Sequence, residues 1–260
     1  MMHPAELGEL EAFRDLYAAA PPELGARSRE IDGALCLRLD PLSSVPMFNR
    51  VLGLGLEAPA TDQQLGDALD FLQGVEAYVT VAPEAEPQDL GERLEARGLP
   101  RDRGWTKFVS STADPPRATT ELRVERDESG EAFAEAAQRG FEVPEFFRDW
   151  LSRLAGREGW KCFVAYAGDA PAAAGALFVT GRVGWSGIGA TVPEQRGKGG
   201  QSALLAARIE AAAAAGCEVV VTETGEPVDG LANGSYRNIA RAGFEPVYVR
   251  ANYLAATAAS

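Results

Sequence analysis

Histidine is almost absent from this chain: His3 is the only one in 260 residues. A Ser-His-Asp triad, a Cys-His dyad and a His-Cys zinc site each need an imidazole held inside the fold, and one histidine near a terminus is a poor source. Cysteine is scarce too. Cys36, Cys162 and Cys217 are isolated, no C-x-x-C occurs, and an odd count argues against a disulfide framework. Lysine occurs only as Lys107, Lys161 and Lys198, so Arg supplies the other 22 bases. No apolar run approaches the ~20 residues that span a bilayer, and the first residues lack the basic stretch and apolar core of a signal peptide. A cytoplasmic protein is expected on those grounds.

Positive charge is also short. The formal net charge is -13, from 25 basic and 38 acidic residues. Such a chain repels phosphate backbones and anionic lipid, so neither nucleic acid nor membrane is expected as the main partner. The deficit is uneven. Residues 1–116 hold 20 acids and 10 bases, whereas residues 117–260 hold 18 and 15. An anionic ligand therefore belongs in the second half. With 46% hydrophobic residues the chain can bury sizeable cores without staples.

Ser110–Thr120 (SSTADPPRATT) reads as an exposed linker because adjacent prolines sit among Ser and Thr. It suggests a first domain over 1–112, a linker over 113–120 and a second domain over 121–260. In the first half, helical spacing predicts a helix over Ala5–Ala19, ended by Pro21-Pro22. Strands are expected over Ala34–Leu39, Met47–Leu54 and Ala77–Ala82. Thr61 with Gln64 predicts a capped helix running to Gly74. A helix over Gln88–Arg97 and a strand over Trp105–Val109 follow. The second half reads as a strand at Glu121–Glu125, helices at Ser129–Gln138 and Glu145–Leu154, then a meander of Cys162–Tyr166, Ala174–Val179 and Val183–Thr191. Gly199–Ala215 is a strong helix, Glu218–Thr222 a strand buried on both faces, Ser235–Ala242 a short helix and Glu245–Tyr253 a last strand. The class is mixed α/β, and the halves share a loose plan that hints at duplication.

The most informative stretch is Thr191–Leu205, TVPEQRGKGGQSALL. A strand ends at Pro193, a Gly-rich basic loop follows, and then a helix begins. Free amides at a helix start form a ready anion site. Gly197, Gly199 and Gly200 would let a phosphate come close, and Arg196 and Lys198 add positive charge. A plain strand-to-helix turn is the competing reading of the loop alone. The spacing is not that of a P-loop. Gly187-Ile188-Gly189 lacks a third glycine and lies inside a strand, so it is not a dinucleotide fingerprint.

The second half resembles the GNAT superfamily of acyl-CoA-dependent acyltransferases. The loop Arg196-Gly197-Lys198-Gly199-Gly200-Gln201 is similar to that family's Arg/Gln-x-x-Gly-x-Gly/Ala pyrophosphate loop, with Gln201 in place of the last Gly or Ala. The likeness continues through the VVV strand, Asn233, Asn238 and the Ala242-Gly243-Phe244 turn, and covers roughly Glu121 to Tyr253. It implies a mostly antiparallel central sheet flanked by helices. It also implies acetyl-CoA or another acyl-CoA as the cofactor. Its phosphates would be held by Arg196, Gly197, Lys198, Gly199, Gly200, Gln201 and Ser202, with Asn233 and Asn238 as further contacts and the Gln201 side chain able to bond the cofactor. The first half resembles a degenerate copy, giving two such domains in tandem. Glu57 and Asp62 lie where its loop would be, and acids there would repel a pyrophosphate.

The resemblance implies direct transfer, in which a free amine attacks the thioester carbonyl. Backbone N–H groups near Ala190, Thr191 and Val192 would hold the oxyanion. The family's frequent Tyr acid falls here on Ile239, which cannot donate a proton. Tyr236, one turn away, could substitute or could pack. Glu223, expected just beyond the VVVT strand, is the preferred base; Tyr253, Glu194 or a water are the other options. Trp185 and Phe178 are expected in the core or the pocket wall. The acceptor would be a small amine-bearing molecule, and a homodimer is an open option. A non-catalytic acyl-CoA sensor, or a same-fold enzyme taking its donor from a carrier protein or tRNA, are the competing functions.

Overall fold

The computed structural model describes residues 2–113, 115–116 and 120–256. In chain order the elements are α1 (Pro4–Ala18), β1 (Ala26–Ile31), β2 (Ala34–Leu39), β3 (Arg50–Leu52), α2 (Asp62–Phe71), β4 (Ala77–Val81), α3 (Leu90–Ala96) and β5 (Arg101–Ser111). There follow β6 (Arg123–Arg126), α4 (Glu131–Phe141), α5 (Phe146–Ser152), β7 (Trp160–Ala167), β8 (Ala170–Thr180) and β9 (Val183–Thr191). The chain ends with α6 (Gly200–Ala214), β10 (Val219–Gly225), α7 (Gly234–Arg241) and β11 (Glu245–Ala255). The fold is mixed α/β, with mostly antiparallel strands. No helix among the described residues is long and apolar enough to cross a membrane.

The chain separates into two compact units, Met1–Lys107 with Tyr248–Ser260, and Phe108–Val247. This differs from the expected division into 1–112 and 121–260 in one respect. Most of the last strand belongs to the first unit, because β11 pairs antiparallel with β4 from Ala251–Val81 to Ala255–Ala77. Part of the expected linker, 114 and 117–119, lies outside the described residues.

In the first unit β1–β2 and β2–β3 are antiparallel, and β3–β4 are parallel with α2 as the crossover. As the capping pattern implied, the Thr61 hydroxyl accepts the Gln64 N–H at 3.1 Å at the start of α2. The core is apolar around Val51, Leu65, Ala68, Val79, Leu90 and Leu94. A second interior layer is charged. Glu9 accepts from Lys107 at 2.6 Å, Arg50 at 3.0 Å and Arg250, while Glu6 accepts from Tyr248 at 2.8 Å and Arg250 at 3.2 Å. These five ionisable groups are all at most 3% exposed.

The expected strand Met47–Leu54 is broken into a 3-10 turn at Pro46–Phe48 and the three-residue β3. Buried Asn49 causes the break. Its amide takes the Leu39 N–H at 2.8 Å and donates to Leu42 and Val45 carbonyls, which stitches a loop where ladder bonds would run. β1 has no counterpart in the sequence reading. Four of its six positions are exposed, so it lacks the alternation of a half-buried strand.

In the second unit β6–β7, β7–β8 and β8–β9 are antiparallel, and β9–β10 are parallel across α6. The pairing order antiparallel, antiparallel, parallel thus occurs in both units. Leu204, Leu205, Ile209 and Ala212 of α6 pack with Val220 of β10 and Ile239 of α7. The start of α4 is fixed by Asp127, whose carboxylate accepts N–H groups from Ser129, Gly130 and Phe133. Burial would raise this carboxyl, but those bonds prevail and hold it below its ordinary range.

Candidate active site

β9 is regular only in its first half. Its register with β8 slips between Ala174–Ala190 and Ala176–Gly187, so β9 takes three steps where β8 takes two. The surplus residue is a bulge, and Ile188 within it has φ 50°. On its other edge β9 pairs with β10 only from Val183–Val219 to Trp185–Val221. Both strands continue beyond that pairing, β9 to Thr191 and β10 to Gly225. Their diverging ends leave a cleft with main-chain groups on its walls, and exposure of β9 rises over Gly187–Gly189.

The direction of the amides in this stretch can be worked out. The Val192 N–H donates to the Ala172 carbonyl at 2.9 Å, so it faces β8. Antiparallel pairs alternate, so Thr191 N–H faces the opposite edge, toward β10. The expected oxyanion donor Val192 is therefore committed to the sheet, and Thr191 is the amide on the cleft side. α4 covers this point closely. A Cβ at Gly140 would come 2.8 Å from the Thr191 nitrogen, so only glycine lets the helix lie there.

After Val192 a 3-10 turn, Pro193–Gln195, leads to Arg196 in extended conformation. Gly197 and Gly199 have φ 82° and 81°, which a residue with a Cβ adopts only under strain. Gly199 is the N-cap of α6 and no side chain caps the helix. The first bond back into that turn is made by Ala203 N–H to the Gly199 carbonyl. Both basic side chains are exposed and tied only to surface groups: Lys198 to Gln195 at 2.8 Å, and Arg196 to Glu142 at 3.5 Å. An anion at the helix start could recruit both.

Several expected site residues have structural tasks. Gly200 is buried against the core, where a Cβ would come 3.2 Å from Ala173 and 3.3 Å from Leu122. It permits packing of α6 and does not open space for a ligand. The Gln201 side chain donates to the Ala190 carbonyl at 2.7 Å and the Thr191 hydroxyl at 3.2 Å. It clamps the helix start to β9, which replaces the expected bond to a cofactor. Asn233 caps α7, accepting the Tyr236 N–H at 2.8 Å and donating to the Gly225 carbonyl at 3.0 Å. Both ends of its amide are used, so the expected cofactor contact gives way to a cap. Ser202 and Asn238 are half-buried, on the first turn of α6 and on α7.

Glu223 lies within β10, not beyond it, because that strand runs on to Gly225. It is half-buried and sits past the last residue paired with β9. Val220 faces α6, so by alternation Glu223 is on the opposite face, with Val221. The Tyr236 ring packs edge-on against Phe108, with centroids 4.9 Å apart. Trp185 and Phe178 are buried beside Trp160, as wall and core. Tyr253 belongs to the first unit, and Glu194 is exposed and 3.8 Å from Arg139. Sequence reasoning passed over Arg208, which is buried beneath the bulge. The available signal was a guanidinium amid the apolar residues Leu204, Leu205 and Ile209.

A family model described as "Acetyltransferase (GNAT) domain" matches residues 93–226. That span includes β9, the loop, α6 and β10, and stops before Asn233. Among solved structures, a GCN5-related N-acetyltransferase from Kribbella flavida aligns with 98% of this chain and 95% of its own, at TM-score 0.64 and 17% identity. One from Sphaerobacter thermophilus aligns over 86% and 80%, at 0.62 and 16%. A tandem GNAT protein from the clavulanic acid biosynthesis pathway aligns over 93% and 86%, at 0.58 and 19%. Among curated protein sequences none matches the chain.

Proposed function

The chain belongs to the GNAT acetyltransferase family, and on that premise we propose that its second unit transfers an acyl group from a CoA thioester to the amine of a small molecule. One observation carries the reading: an uncapped helix start, with two flanking cations, adjoins a strand bulged away from its neighbour. The residues fit the donor. Arg196, Lys198 and the first amides of α6 would hold its phosphates, and the open edge of β9 would take the peptide-like arm by main-chain bonds. When bound, the donor supplies an activated thioester carbonyl. Thr191 N–H is placed to bond that carbonyl's oxygen. Glu223 would attract the acceptor as an ammonium and remove its proton, and Tyr236 would hold a proton for the departing thiol. Release of free thiol from acetyl-CoA in the presence of a panel of small amines tests the reading; release with none of them would refute it.

The loop assignment has its own test. Arg196→Ala should weaken acetyl-CoA binding by about 1.5–3 kcal/mol if the guanidinium makes a charge-assisted bond. Gly199→Val should weaken it further, because φ 81° is denied to a β-branched residue and the helix start must move. Unchanged calorimetric affinity in both variants would remove the loop from the site.

One donor should bind per chain. The start of α2 in the first unit is already satisfied, by the Thr61 hydroxyl and by an Ala60 N–H bond to the Glu86 carbonyl at 2.7 Å. Glu86 N–H also bonds the Gly55 carbonyl at 2.9 Å, and a Cβ at Gly55 would lie 2.5 Å from the Glu86 oxygen. The chain therefore fills the space between the ends of β3 and β4, and Asp62 adds repulsion. A calorimetric stoichiometry near two would show the first unit to be a second site.

A further inference from the structure

A guanidinium is buried under the β9 bulge with no carboxylate to balance it. Arg208 is 2% exposed. Its Nε donates to the Leu204 carbonyl at 3.0 Å, and its Nη1 to the carbonyls of Gly187 at 3.0 Å and Ala176 at 3.4 Å. Burial alone pushes its pKa down to about 9, with no neighbouring charge acting against that. An unpaired ion in the interior is costly, and an apolar residue beside Leu204, Leu205 and Ile209 would pack there without that cost.

The carbonyls it binds lie on the two strands at the slip in register. Ala176 and Gly187 are the last partners before β9 takes its surplus step. A bulge leaves ladder groups without strand partners, and one guanidinium nitrogen satisfies a carbonyl from each side. The hollow that receives it is made by missing side chains. A Cβ at Gly175 would lie 2.8 Å from Cζ of Arg208, and one at Gly189 would lie 3.9 Å from Nη1.

We propose that Arg208 is a positioning residue for acyl transfer: it pins the bulge that turns the Gly189–Thr191 backbone into the cleft, and its unbalanced charge favours the oxygen that gathers negative charge there. This rests on reading the cleft as the acyl site. The arrangement sacrifices stability for a fixed, electropositive main-chain wall.

The test compares the full chain with R208M and R208K. Without ligand, R208M should unfold at the same or a higher temperature, because a buried unpaired charge is gone. Amide hydrogen exchange over residues 186–191 should become about tenfold faster as the bulge loosens. Thiol release should fall about 10²-fold in kcat, the scale of one lost oxyanion-hole donor, with the KM for acetyl-CoA changed only a few-fold. R208K, which keeps the charge, should recover about tenfold of that loss. Wild-type exchange and kcat in R208M would overturn the proposal. So would a lower unfolding temperature with kcat and KM both damaged and no recovery in R208K, which is the mark of a merely structural residue. A wild type that releases no thiol would instead refute the acyl-transfer reading; the pinning of the bulge would still stand or fall on the exchange of the ligand-free protein.

Discussion

Glu223→Gln is expected to lower turnover by about 10²–10⁴-fold while leaving acetyl-CoA affinity intact. The only histidine, His3, accepts the Ala5 N–H at 3.1 Å at the start of α1, outside the second unit. Proton removal then falls to a carboxylate, a tyrosine or water. Glu223 is on the stretch of β10 that has left β9, on the strand face away from α6, so it borders the cleft without entering the core. A carboxylate there attracts an ammonium and can take its proton, whereas the amide of Gln does neither. Tyr236→Phe should cost less, because a thiolate leaves readily and the ring keeps its contact with Phe108. Steady-state rates with separately measured donor affinities decide the point. A near-normal Glu223→Gln beside a crippled Tyr236→Phe would reverse the roles and leave proton removal to water.

Glu9→Ala is expected to destabilise the first unit by about 3–5 kcal/mol, the cost of breaking a buried ion pair from one side. Glu9 is 1% exposed and bonds Arg50, Lys107 and Arg250, which are equally sequestered. Removing it leaves three interior cations facing Glu6 alone. Glu9→Gln should cost nearly as much, since it keeps the volume and loses the charge. Denaturant unfolding followed by a probe in the first unit measures the loss. A midpoint unchanged in both variants would show that Glu6 suffices and that Glu9 contributes only packing.

The regular elements were legible because their residues repeat at the right period. Val183–Thr191 was bounded to the residue, and α6 and α7 within one residue, since apolar spacing, caps and terminal glycines agreed. Elements that break the pattern were not legible. β1 is an exposed strand of charged residues, and β3 is cut short by the bonds of buried Asn49. The buried charges of the first unit were equally hidden. Glu6 and Glu9 look like the polar side of a helix until Arg50, Lys107 and Arg250, far away in the chain, are brought to them.

The sequence by itself determined the mixed α/β class, the acidic first half, the lack of a usable histidine and the basic glycine loop before α6. Those are local or compositional properties, carried by residues close together in the chain. Only the tertiary structure decided what the loop's neighbours do. Gln201 clamps, Gly200 packs, Asn233 caps and Val192 pairs, because each meets a partner from another element. It also decided that the last strand joins the first unit, and that Arg208 lies under the bulge. Hydrogen bonds and burial between distant segments settle which of several tasks a side chain performs, and no local pattern contains that choice.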